Sequence, residues 1–137
     1  MRTFALTRRW LLGLSALLPF SRTGTLFAGA REPAGAGVPP ALARLLPARA
    51  DAAIIGRTYL ASSPQEGDPV KLVRHFMAMA ESTGDLRTAI GNRLRKDFDE
   101  RKTVRVRGWV LSRTEARLCA LSALLMDEHR RADARMA

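Results

Sequence analysis

Cysteine and histidine are nearly absent from this chain of 137 residues, which holds only Cys119, His75 and His129 of the two types. One cysteine excludes a disulfide within the chain, so packing alone must hold the fold. Two imidazoles and one thiol leave a zinc centre short of its usual ligands. Asp127, Glu128 and His129 are adjacent, but consecutive helical residues point around different sides and do not form a ligand cluster. No Gly-rich phosphate loop, paired-cysteine spacing, His-Glu-x-x-His or Gly-x-Ser-x-Gly occurs, so the sequence nominates no catalytic residue, metal or cofactor. Cys119 lies in the apolar run Leu118-Cys119-Ala120-Leu121, the setting of a small buried hydrophobe more than of a nucleophile. Long apolar runs are missing too. Residues 10–20 (WLLGLSALLPF) are too few to cross a hydrocarbon core of about 30 Å as a helix.

What is present suits one small globular domain. Apolar residues make up 47% of the chain and charged residues 26%, close to the globular average. The formal charge is +10, from 23 basic and 13 acidic residues, the balance of a binder of anions. Arg2, Arg8, Arg9 and Arg22 all fall in the first 30 residues, however, leaving 19 basic residues against the 13 acids. Among those 19, only Lys71, Lys96 and Lys102 are lysines, a bias that GC-rich coding produces without selection for function.

The first 30 residues have the three parts of a secretory signal. Residues 1–9 carry three arginines and no acid, the apolar stretch follows, and Ala28-Gly29-Ala30 puts small residues at Ala28 and Ala30, before a cleavage point. Thr7-Arg8-Arg9 followed by Leu11 and Leu12 resembles the twin-arginine signal of bacterial exported proteins. It departs from that pattern in having Leu11 where phenylalanine is commonest and Gly13 where lysine is common. The resemblance covers the signal alone. It implies passage through the twin-arginine translocase into the periplasm, a route that carries proteins already folded. Such cargo usually holds a cofactor or travels in complex with a partner that does.

Residues 31–40 (REPAGAGVPP) hold three prolines and two glycines and read as a flexible leader, so a single helical domain is expected over 41–137. One helical turn over 41–46 precedes a helix over about 49–62, with Ile54, Ile55 and Tyr59 on its apolar side. Asp68 and Pro69 mark the start of a helix to about residue 82, and Gly84 suits its left-handed stop. Asp85 caps the next, in which Leu86, Ile90, Leu94 and Phe98 form an inclined stripe. Thr103 to Arg107 alternates as a short strand or arm that needs a partner. Ser112 and Glu115 form a capping box opening a helix over 113 to about 131, after which the chain is expected to fray. The fold class expected is therefore mainly α, a bundle of three to four helices with one extended segment at about 103–107. Ile55-Gly56-Arg57 and Ile90-Gly91-Asn92 recur 35 residues apart; each glycine would allow a close helix contact, offsetting its cost of roughly 1 kcal/mol in a helix.

These features lead to an exported, non-catalytic accessory or small subunit associated with a larger periplasmic enzyme. It is similar in kind, by size and export, to the small signal-bearing subunits of periplasmic sugar and alcohol dehydrogenases. Val104, Val106 and Trp109 are the candidate partner contacts, although Trp109 could instead seal the core. The alternative is a stand-alone periplasmic module that binds anionic ligands or the envelope surface through Arg87, Arg93, Arg95, Lys96, Arg105 and Arg107. Export argues against nucleic acid, and Asp97, Asp99 and Glu100 interrupt the basic run.

Overall fold

The structure, a computed structural model, describes residues 37–48 and 50–137. The export signal expected at Thr7, Arg8, Arg9, Leu11 and Leu12, and the cleavage residues Ala28 and Ala30, lie outside the described residues. Among the described residues, five α-helices and one two-stranded sheet follow in chain order: α1 (Pro40–Ala43), α2 (Ala50–Ser62), α3 (Pro69–Glu81), α4 (Leu86–Asp99), β1 (Thr103–Val106), β2 (Trp109–Ser112) and α5 (Arg113–Met136). A 3-10 turn, Pro64–Glu66, links α2 to α3. The mainly α class is what the sequence predicts. The end of the expected leader belongs to the fold, since Val38 packs against the core and Pro40 opens α1.

Local chemistry explains where the helices begin and end. Asp68 accepts from the backbone N–H groups of Val70 and Lys71, and Asp85 accepts from Thr88 N, so each satisfies donors that a helix start leaves free. Gly84 stops the chain at φ +73, where a side chain would be strained. The capping box at α5 is complete: Ser112 N donates to Glu115 Oε2 at 2.7 Å and Glu115 N donates to Ser112 Oγ at 3.0 Å.

Helix α5 is the axis of the domain. From Thr114 to Ala123 it is buried on nearly every side, with Ala116 and Leu121 inaccessible beside Phe76 of α3 and Leu42 of α1. It also continues to Met136 instead of fraying near residue 131, its last turns fully exposed. Its closest neighbour is α2, and the approach depends on small residues. The buried positions of α2 are Ala52, Ala53, Gly56 and Tyr59, whereas Ile54 is exposed and Ile55 only half-buried. That corrects the expected Ile54–Ile55–Tyr59 face: where two helices nearly touch, the side chains between them must be short. A Cβ on Gly56 would fall on the Cys119 carbonyl oxygen, 2.5 Å from its carbon and 2.9 Å from Ala120 N. Gly91, in the matching tripeptide, has open space around the same position, so the two copies are not structurally equivalent. Arg57 closes the edge of the α2–α5 contact by donating through Nε and Nη2 to Asp127, at 3.1 and 2.7 Å.

The extended segment has its partner within the chain. β1 pairs antiparallel with β2, Thr103 opposite Ser112 and Val106 opposite Trp109. Arg107 (φ 50) and Gly108 (φ 84) form the two-residue turn, whose left-handed pair matches the twist of a hairpin. The expected extended segment is thus half of a hairpin, and Trp109-Val110-Leu111 belongs to the other half.

Candidate functional site

Pairing and pleat determine what the hairpin presents. Val104, Val106, Trp109 and Leu111 share one face, because opposed residues and alternate residues point the same way. That face lies on the core, with Val106 3% exposed and Val104 and Leu111 packed at its margin. Trp109, at the tip, overhangs it and stays 47% exposed. The opposite face carries Arg105 beside Val110, which is 52% exposed. The expected contact group is therefore divided: Val106 is committed to the core and Val104 largely so, leaving Trp109 available together with its exposed neighbour Val110. Nor does Trp109 seal the core, since half of it faces solvent.

The basic residues divide in the same way. On α4, Arg93 turns inward to Asp97, with Nε 3.0 Å from Oδ1, and Lys96 reaches Glu100. Arg87 and Arg95 on this helix are exposed and make no ion pair among the described residues, although Arg95 donates to Asn92 Oδ1. The expected continuous anion face from Arg87 to Arg107 is thus interrupted on α4, where Arg93 and Lys96 are paired with acids and Arg87 and Arg95 are not. The hairpin differs. Residues 101–113 hold five basic residues and no acid, while the rest of residues 31–137 holds 14 basic and 13 acidic. Lys102 pairs with Glu100 at 2.7 Å, but Arg101, Arg105, Arg107 and Arg113 make no ion pair among the described residues. Arg101 (φ 56) and Arg107 (φ 50) also occupy left-handed backbone positions, each costing about 1 kcal/mol relative to glycine. Strain of this kind accumulates at working surfaces.

Beneath the hairpin lies its anchor. Asp97 is fully buried, and its Oδ2 accepts from Thr114 N at 2.9 Å and from Thr114 Oγ1 at 2.7 Å. It ties the end of α4 to the first turn of α5, so both ends of the hairpin spring from fixed points. Arg101 N donates to Phe98 O and Lys102 N to Asp97 O, the paired bonds of a left-handed helix stop.

A second polar group joins four elements. Tyr59 of α2 donates to Glu66 Oε2 at 2.7 Å, and Arg117 of α5 grips both oxygens of Glu66 through Nε and Nη2 at 2.8 and 2.7 Å. Its Nη1 lies 3.1 Å from His75 Nε2 on α3. Burial, then the hydrogen bond to Glu66, pushes the Tyr59 hydroxyl up to about 12, and the Arg117 hydrogen bond pulls Glu66 below the usual carboxylate range. Cys119 is half-buried, and burial, reinforced by Glu115, raises its thiol to about 11, which leaves almost no thiolate at neutral pH.

No protein-family model, curated protein or solved structure matches this chain. Among the described residues, no group of three histidine, cysteine, aspartate or glutamate side chains could hold a metal ion, and no helix is long and apolar enough to cross a membrane. The sequence did not point to Asp97 as a buried anchor or to the Tyr59–Glu66–His75–Arg117 group. The helical period could have found the first; nothing local signals the second, whose members come from four separate elements.

Proposed function

We propose that this chain is an exported, non-catalytic accessory subunit that docks onto a larger periplasmic protein through the tip of its β1–β2 hairpin. The observation that carries the reading is the concentration of charge along the hairpin: residues 101–113 hold five basic residues and no acid, and two of them, Arg105 and Arg107, stand at the tip beside the exposed Trp109 and Val110 without an ion pair among the described residues. Tryptophan and arginine are the residues most enriched where binding energy concentrates in interfaces. A hairpin held at both ends loses little conformational freedom on docking, so more of its contact energy remains as affinity. The complementary partner offers an apolar pocket fringed by carboxylates. The twin-arginine resemblance supports export in a folded state, which is how a subunit would leave the cytoplasm together with its partner.

The test is recovery of the tagged protein from periplasm, with the bound protein identified and its affinity then measured in vitro. Trp109→Ala should weaken binding roughly thirtyfold or more, the loss of an interface hot spot. Arg105→Gln with Arg107→Gln should slow association and flatten its salt dependence. Full affinity in Trp109→Ala would refute docking through this tip. A partner-free protein that binds phosphatidylglycerol vesicles would refute the subunit reading in favour of the envelope surface. Arg8→Lys with Arg9→Lys should abolish co-export through the twin-arginine route.

A further inference from the structure

Arginine has no hydrogen-bond acceptor and keeps its proton at every physiological pH. The 3.1 Å approach of Arg117 Nη1 to His75 Nε2 therefore has one consistent reading: the imidazole accepts at Nε2 and carries its single proton on Nδ1. Adding a proton to the ring would set two donors, and two positive charges, face to face. Arg117 cannot readily turn away, because Nε and Nη2 are held by Glu66. We propose that His75, Arg117 and Glu66 form an acid-sensitive latch, closed while the imidazole is neutral, that holds the 3-10 turn and α3 against α5 and slackens when the ring is protonated.

The surroundings of His75 favour the neutral ring. Burial, then Arg117 of α5 and Arg93 of α4, hold its pKa below the ordinary 6.5, against the opposing pull of Glu66 on the 3-10 turn and Asp97 on α4. On α3 and the residue before it, Lys71 and Asp68 line the same shallow cavity of about 190 Å³, and they pair with each other at 3.7 Å. The Phe76 ring meets His75 edge-on, with centroids 5.6 Å apart. Because the folded-state pKa lies below the unfolded one, the unfolded chain takes up the proton first. Stability is then complete above pH 6.5 and falls as the pH drops from there through the folded-state value. The carboxyl of Glu66, whose pKa is lowered, adds its own loss only below 4.5. A separate acid window thus belongs to the imidazole. The latch does not depend on what the hairpin binds.

The experiment is nitrogen-15 NMR of the histidine rings, with the His75 signals assigned by comparison with His75→Gln, alongside amide protection factors across the same pH range. The expected result is a His75 ring protonated on Nδ1 at neutral pH and titrating below 6.5. Protection of α3 should fall as that titration proceeds, and His75→Gln should abolish the fall. An Nε2-protonated neutral ring, a titration at or above 6.5, or an equal loss of protection in His75→Gln would overturn the proposal. Should His75→Gln fail to fold, the tautomer and titration of the unaltered protein, assigned through bonds, decide the question.

Discussion

Replacing Gly56 by alanine adds one methyl group at the point where α2 crosses α5. In an isolated helix the change stabilises by about 1 kcal/mol, because glycine gives up more backbone entropy. Here the new carbon would lie on the Cys119 carbonyl oxygen and 2.5 Å from its carbon. Carbon-to-oxygen contacts settle at about 3.3 Å or more, so the helices must separate by about 1 Å. A gap of that size forfeits roughly a quarter to a half of each dispersion contact along the crossing, including those of Ala52, Ala53 and Tyr59. Overpacking against backbone, which has no rotamer to escape into, sits at the upper end of the usual range of about 1–3 kcal/mol. The net expectation is a loss of about 2 kcal/mol, or a Tm lower by on the order of 10 °C for a domain of this size. Gly91→Ala is the control: it lies inside α4 with open space at the same position, and should gain about 0.5–1 kcal/mol. Urea unfolding of both variants, followed by circular dichroism, gives the two signs directly. Gly56→Ala as stable as the parent, or both variants shifting together, would refute the close crossing.

Three further outcomes follow from the same geometry. Asp97→Ala strands the buried Thr114 donors and leaves Arg93 without its carboxylate, so it should cost about 3 kcal/mol in chemical unfolding, whereas Asp97→Asn, which keeps an acceptor, should cost less. Arg101→Gly and Arg107→Gly relieve left-handed arginines, so each should stabilise by up to about 1 kcal/mol in thermal melting while weakening partner binding. Cys119, with its thiol raised from 9.0 to about 11, should be alkylated at neutral pH roughly 100-fold more slowly in the folded protein than in urea, since the thiolate is the reactive form.

Helix boundaries were legible wherever a side chain satisfies the backbone locally, as at Asp68, Asp85 and the Ser112–Glu115 box. The hairpin was not, because its turn is Arg107-Gly108 and lacks the asparagine or aspartate that usually takes the first left-handed position. The α4 stripe holds for Leu86, Ile90 and Leu94 and fails only at Phe98, for a reason of angle. At about 100° per residue, steps of four drift by roughly 40° each, so Phe98 ends about 120° away from Leu86, while position 97 returns to within about 20°. That is why Asp97 is 0% exposed and Phe98 40%. An acid on the buried line of a helix is a signal for a fixed internal partner, and Thr114 is that partner. The Arg117 cluster had no such trace, since Tyr59, Glu66 and His75 reach it across the whole domain.

The hairpin separates structure from recognition along its pleat. Val104, Val106 and Leu111 face the core, and Asp97 and Ser112 fix the strand ends, so changes there alter folding and binding together and cannot tell them apart. Arg105 and Val110 face solvent on the other side, where substitutions away from buried partners shift stability by about 0.5 kcal/mol or less. If the basic tip exists to bind, Arg105→Gln with Val110→Ser should leave the unfolding midpoint unchanged and abolish capture of the periplasmic partner. If the arginines reflect coding bias alone, the same double variant should keep the partner at full affinity and through the same salt range.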